Sequence, residues 1–203
     1  MEDSGPFIQT YTGRKFYFLH PEQSDISILD IAHSLSKINR FNGHTDGRFL
    51  GHDEDRFYSV AEHSIWVTAL VEKALTNSTQ GILLNALLHD AQEAYLGDVT
   101  TPLKSLLPEY SALEEKTANA ISATFKLDKE KQRTIIKAAD QAMLWHEMNM
   151  FQVETFVDPP AMSSWMKAPP IRGWAHIVAE RKFLHLYKYL RGQHRHNGRI
   201  EDI

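Results

Sequence analysis

Cysteine is absent from this 203-residue chain, and with it go disulfides, thiolate metal sites and cysteine nucleophiles. Any metal must be held by nitrogen and oxygen donors, and the absence fits an intracellular protein. The N-terminus, Met1-Glu2-Asp3-Ser4-Gly5-Pro6, lacks the basic and apolar blocks of a secretory signal, and no apolar run approaches the length of a membrane span. A cytoplasmic location and no membrane association are the expectation. A large charge excess is missing as well: 22 Lys and Arg face 26 Asp and Glu, for a formal net charge of -4. Whole-molecule electrostatics therefore do not favour a nucleic-acid backbone, and no stable nucleic-acid partner is expected. A phosphorylated ligand would have to be met by a few local cations.

What remains is ordinary globular composition, with apolar residues at 42% and charged residues at 24%, which excludes a disordered or fibrous chain. The length fits one domain over residues 1–203. Helical spacing dominates, and the expected fold class is all-α.

Residues 1–25 read as irregular structure or a short hairpin. Ile28, Ile31, Ala32, Leu35 and Ile38 then mark a first helix ending near Asn39. Phe41 to Phe57 is a long polar connection, the kind of loop that is usually functional or mobile. Ser59-Val60-Ala61-Glu62 has the pattern of a capping box, so a helix should run from there to about Leu75 with His63 in its first turn. Gln80 to Leu88 is nearly continuous apolar sequence and reads as a buried helix. Further helices are expected over Glu109 to Phe125, from an Asp128 cap through Met148, and from about Trp174 to Leu190, with the tail after Gly192 frayed. No internal repeat is visible.

The chemistry gathers around His89-Asp90. Adjacent helix residues point about 100° apart, so both can reach one ion only if it sits beside a helix end. Glu93 lies one turn further, Gly97-Asp98 follows, His63 is upstream and Asp140 downstream. Taken alone, His63 is more often a core or capping histidine than a ligand, and Asp140 an ordinary helix aspartate. His89-Asp90 alone fits a salt bridge as well as a metal. Together, two imidazoles and two carboxylates make a divalent-metal shell suited to zinc, cobalt, manganese or iron, without choosing among them. Such an ion activates water and polarises phosphoryl oxygens, and Glu93 is placed to move a proton.

Ala61-Glu62-His63-Ser64, Leu88-His89-Asp90-Ala91-Gln92-Glu93, the run Leu96 to Lys104, and Lys137-Ala138-Ala139-Asp140 together resemble the HD-domain phosphohydrolase superfamily. The resemblance is greatest to its 5'-deoxynucleotidase branch and phage relatives, which include dATP triphosphohydrolases. It runs from about Ile28 to Met148. It implies a compact helical bundle with one divalent ion per site held by His63, His89, Asp90 and Asp140, and Glu93 as the catalytic carboxylate. By the same resemblance Asp98 contacts the sugar 3'-hydroxyl, Arg40 contacts phosphate, and Lys104 and Lys137 offer further cations. It also implies a homo-oligomer, and the host cytoplasm if the chain is phage-encoded. Arginine suits bidentate phosphate binding and lysine acts as a movable point charge, but a solvated surface role is as available to each of these three cations.

Two features depart from the pattern. Phe41 follows Arg40 where nucleotidase relatives often carry tryptophan, and it is the candidate for stacking on base or sugar. The Asn42 to Arg56 loop is longer than the simplest pattern, as a lid or as an insertion. Its His44 and His52 have no spacing that recommends them as ligands, and His194 and His196 read as solvated. Trp165, Trp174, Phe183 and Tyr187 are candidates for either core or an apolar interface.

The expected activity is hydrolysis of a deoxynucleotide at its 5' phosphate. A 5'-nucleotidase would release orthophosphate from a monophosphate, and a triphosphohydrolase would release triphosphate from a dNTP, with dATP a candidate. The alternatives are a cyclic-nucleotide or oligonucleotide phosphodiesterase, and a noncatalytic module that senses nucleotides while retaining metal.

Overall fold

The structure is a computed structural model that describes residues 5–45, 57–75, 79–128, 133–151, 154, 157–193 and 198–202. It is mostly helical, in agreement with the all-α expectation. The first segment is a two-stranded antiparallel hairpin, β1 (Phe7–Gln9) and β2 (Lys15–Tyr17), paired with Ile8 opposite Phe16. Buried Asp30 clasps the hairpin by accepting from the Thr12 backbone N–H at 2.7 Å and its hydroxyl at 2.8 Å.

Helix α1 (Ile28–Leu35) starts on Ser27, whose hydroxyl accepts from the Leu29 N–H. It stops short of the expected Asn39. The Ser36 hydroxyl donates back to the His33 carbonyl at 2.9 Å, and the chain opens so that Asn39 bridges to Ser59. That extended step delivers Arg40 to the start of the next helix.

Helix α2 (Val60–Ala74) is the centre of the fold: every residue from Val60 to Val71 is buried. A helix buried all round must lie inside other helices, and α2 packs against α1, α3 (Gln80–Leu87), α7 (Arg133–Phe151) and α8 (His176–Leu190). Between α3 and α7 run the short helices α4 (Glu93–Leu96) and α5 (Thr101–Lys104), then α6 (Pro108–Phe125). The role of Asp128 as a cap for α7 falls at residues 129–132, outside the described ones.

The capping box forms only by half. The Ser59 hydroxyl accepts from the Glu62 N–H at 3.2 Å, but the Glu62 carboxylate turns inward. It accepts from the backbone N–H groups of Arg172 (2.7 Å) and Trp174 (2.8 Å) and from the Trp66 indole (3.1 Å). The two backbone donors stand 110 and 112 positions along the chain, where no local pattern announces them.

The tail also differs from the frayed segment expected. Ile200–Asp202 forms a 3-10 turn in which Ile200 is fully buried and its N–H donates to Glu72 at 2.9 Å; His194 and His196 lie outside the described residues. Trp165 and Phe183 are core, and Trp174 and Tyr187 pack against it. Among the described residues no helix is long and apolar enough to cross a membrane.

Candidate metal centre

Helix α3 ends at Leu87, and the chain continues through a tight turn rather than a straight helix. Ala91 N–H donates to Leu88 O, and Glu93 N–H to Asp90 O at 3.0 Å. This break lets neighbouring His89 and Asp90 face one point, and it opens α4 with Glu93 beside them. His63 arrives from the first turn of α2 and Asp140 from the third turn of α7.

One donor atom from each of His63, His89 and Asp140 lies within 4.8 Å of the others. His63 Nε2 is 3.1 Å from Asp140 Oδ1 and 3.7 Å from Asp90 Oδ2, while His89 Nε2 is 3.1 Å from Asp90 Oδ2 and 3.8 Å from Asp140 Oδ1. All four residues expected to hold a metal therefore converge, with Asp90 just outside the tightest set.

Both imidazoles are aimed. His89 Nδ1 donates to the Ala86 carbonyl at 2.8 Å, and a carbonyl can only accept, so Nδ1 keeps a proton and Nε2 is the nitrogen left to give a lone pair to a cation. His63 Nδ1 hydrogen-bonds to the buried carboxylate of Glu147. The electrostatics favour positive charge between the donors. Burial opposes an imidazolium at His89, but Asp90 and Asp140 outweigh it and raise its pKa well above the usual range. Burial also opposes ionisation of Asp140, yet the hydrogen bond with His63 and the adjacent His89 imidazole hold it well below the carboxylate range.

The donor set fits a divalent cation. His89 Nε2 is buried and makes no aligned hydrogen bond although Asp90 Oδ2 lies 3.1 Å away, a shortfall that coordination of both atoms to one cation would relieve, and imidazole with carboxylate suits a first-row metal.

Around this cluster stand the other expected residues. Glu93 is 4% exposed and its Oε2 has no partner. Burial first, then Asp90 and Asp98, push its pKa well up, so this carboxyl is biased towards keeping its proton. Asp98 follows Gly97, whose positive φ of 82° favours glycine and whose carbonyl accepts from the Tyr110 hydroxyl at 2.9 Å. Burial likewise raises the Asp98 pKa, against the pull of Arg40.

Arg40 places Nη1 3.8 Å from Asp98 and Nη2 3.0 Å from Glu147, with its buried Nε–H unpartnered. The Phe41 ring centroid lies 5.6 Å from the guanidinium, and Phe41 and Asn42 both adopt left-handed backbone at φ 55° and 51°. Strain of this kind clusters at ligand sites. Lys104 is committed to Glu114 at 2.7 Å while still feeling Glu93 and Asp90. Lys137 is exposed on α7, three residues before Asp140, and makes no ion pair among the described residues. Of the long loop, residues 46–56, His52 included, lie outside the described ones.

Sequence reasoning missed Glu147. It is fully buried and holds three donors: His63 Nδ1, the Tyr58 hydroxyl at 2.7 Å and Arg40 Nη2. Burial alone would raise its pKa, but Arg40, His63 and Tyr58 lower it to about 2. The one signal available in the sequence is its place seven residues after Asp140, on the same helix face.

Residues 47–153 match the family model for the HD domain. An uncharacterized protein of Escherichia coli (strain K12), YfdR, is 42% identical over 138 residues, which is 68% of this chain and 68% of that protein. An uncharacterized protein of Rhodobacter capsulatus is 40% identical over 133 residues, 64% of each chain. The matched family region contains His63, His89, Asp90, Glu93, Asp98, Asp140 and Glu147, whereas Arg40 and Phe41 precede it.

Proposed function

The chain belongs to the HD domain family, and from that premise we propose that it is a metal-dependent phosphohydrolase that cleaves deoxynucleotides at the 5' phosphate. The observation that carries the reading is a set of three buried polar atoms beside the cluster that lack a hydrogen-bond partner: His89 Nε2, the Arg40 Nε–H and the Glu93 Oε2. Each calls for a different part of one ligand system, namely a cation, a phosphate oxygen and an exchangeable proton.

His63, His89, Asp90 and Asp140 would hold the divalent ion. Bound there, such an ion supplies Lewis acidity and brings water towards ionisation near neutral pH. Arg40, fixed by Glu147, aligns the phosphate by charge-assisted hydrogen bonds. Water attacks phosphorus as the bond to the leaving 5'-oxygen breaks. Glu93, whose protonated form is favoured by burial beside Asp90 and Asp98, gives its proton to that oxygen and is restored by a proton from the attacking water. The second water proton stays on the released phosphate. Asp98 accepts from the sugar 3'-hydroxyl. A sensor without turnover has no use for a buried, unpartnered carboxyl beside the metal, which favours catalysis over that reading.

The test is product analysis of Mn2+- or Co2+-loaded protein given each deoxynucleoside mono- and triphosphate and the matching ribonucleotides. Orthophosphate from monophosphates is the nucleotidase outcome, and triphosphate with nucleoside is the triphosphohydrolase outcome. Glu93→Gln should bind metal and lose turnover. Full turnover in that variant would remove Glu93 from the chemistry, and silence of the metal-loaded unaltered chain across the panel would overturn the proposal.

A further inference from the structure

We infer that Glu147 is a positioning residue that holds the metal-facing His63 and the phosphate-facing Arg40 in register through one carboxylate. The inference rests on the metal-dependent reading of the same site, but concerns a residue that touches neither cation nor substrate.

Its two oxygens divide the work. Oε1 accepts from the Tyr58 hydroxyl and from His63 Nδ1, and Oε2 accepts from Arg40 Nη2 at 3.0 Å. An ionised carboxylate has no proton to give, so His63 Nδ1 keeps a proton, and Nε2, facing Asp140 and Asp90, is the nitrogen left to give a lone pair to a cation. Such outer partners set ring orientation and ligand basicity in histidine metal sites. Asp140 and Glu147 lie two turns apart on α7, and side chains lean towards a helix N-terminus, so Glu147 reaches back and the two carboxylates grip the two nitrogens of one imidazole.

The same helix thereby fixes Arg40, which comes from a separate segment and whose other side faces Asp98. Removing the carboxylate disturbs both halves of the site at once. A glutamine there cannot substitute. Its NH2 must face either Arg40 or the Tyr58 and His63 pair, and all three are donors.

The experiment compares the full-length chain with Glu147→Gln and Tyr58→Phe by Mn2+ titration calorimetry, then by inorganic phosphate titration of the Mn2+-saturated proteins. Glu147→Gln should weaken Mn2+ binding about 10- to 100-fold and phosphate binding about tenfold, the size of one charge-assisted hydrogen bond. Tyr58→Phe removes one donor from the same oxygen but leaves His63 and Arg40 held, and should bind both close to the unaltered chain. Unchanged Mn2+ or phosphate affinity in Glu147→Gln overturns the inference.

Should that variant fail to fold, the unaltered chain decides. With Zn2+ bound and uniform 15N labelling, the His63 ring should show its proton on Nδ1 and the metal on Nε2, and the reverse assignment overturns the inference. These readouts need no turnover. A chain that hydrolyses no nucleotide yet shows the Glu147 dependence refutes the proposed substrate and leaves the positioning role standing.

Discussion

Glu93 and Asp98 form a pair whose charges speak to each other. Glu93 is pushed up by burial, by Asp90 and by Asp98, and Arg40 and Lys104 oppose this only in part. If Glu93 delivers a proton, activity is present while it is protonated and falls as pH rises through its raised pKa. Removing the Asp98 charge lowers that pKa, so in Asp98→Asn the alkaline fall in rate should begin at lower pH, with Mn2+ still bound. The same substitution should weaken deoxynucleotide affinity through the 3'-hydroxyl. A pH–rate profile that does not move would separate Asp98 from Glu93, and loss of Mn2+ would make Asp98 a ligand instead.

How much of the structure could be read from the sequence depends on how local each element's cause is. Helices α2, α3, α6 and α8 were legible because apolar spacing and caps are written within a few residues. The convergence of His63, His89, Asp90 and Asp140 was legible because the His89-Asp90 pair and the motifs on either side of it follow one another in the order of a known family. Glu147 was not, because its partners stand 84, 89 and 107 positions away and a helical glutamate looks solvated until its neighbours are known. Glu62 was misread for the same reason: a local Ser-x-x-Glu pattern suggested a box, but its acceptor capacity goes to residues 110 and 112 positions away.

This ordering predicts unequal costs for the two halves of that motif. Ser59→Ala removes one cap and should cost about 1 kcal/mol. Glu62→Ala strands two backbone N–H groups and the Trp66 indole N–H, and at roughly 1 kcal/mol or more for each it should cost about 3 kcal/mol or more. At about 2–4 °C per kcal/mol for a chain of this size, Glu62→Ala should lower Tm by about 6–12 °C. Thermal unfolding checks both, and equal shifts would mean that Glu62 acts only as a cap.

The candidate metal ligands come from three places that the unfolded chain holds far apart: the start of α2, the turn between α3 and α4, and the interior of α7. A cation bound by all three exists only when these elements are packed, so binding favours the folded state by mass action. At a free Mn2+ concentration about 100 times the dissociation constant, the gain is about 2.7 kcal/mol, which at about 2–4 °C per kcal/mol raises Tm by about 5–11 °C. A chelator should reverse the rise completely. Asp140→Asn keeps the size of the side chain and withdraws the charge that α7 brings to the cluster, so its Tm should not respond to Mn2+. If the variant responds as the unaltered chain does, the ion binds elsewhere, and the convergence of His63, His89, Asp90 and Asp140 is a salt-bridge network rather than a metal centre.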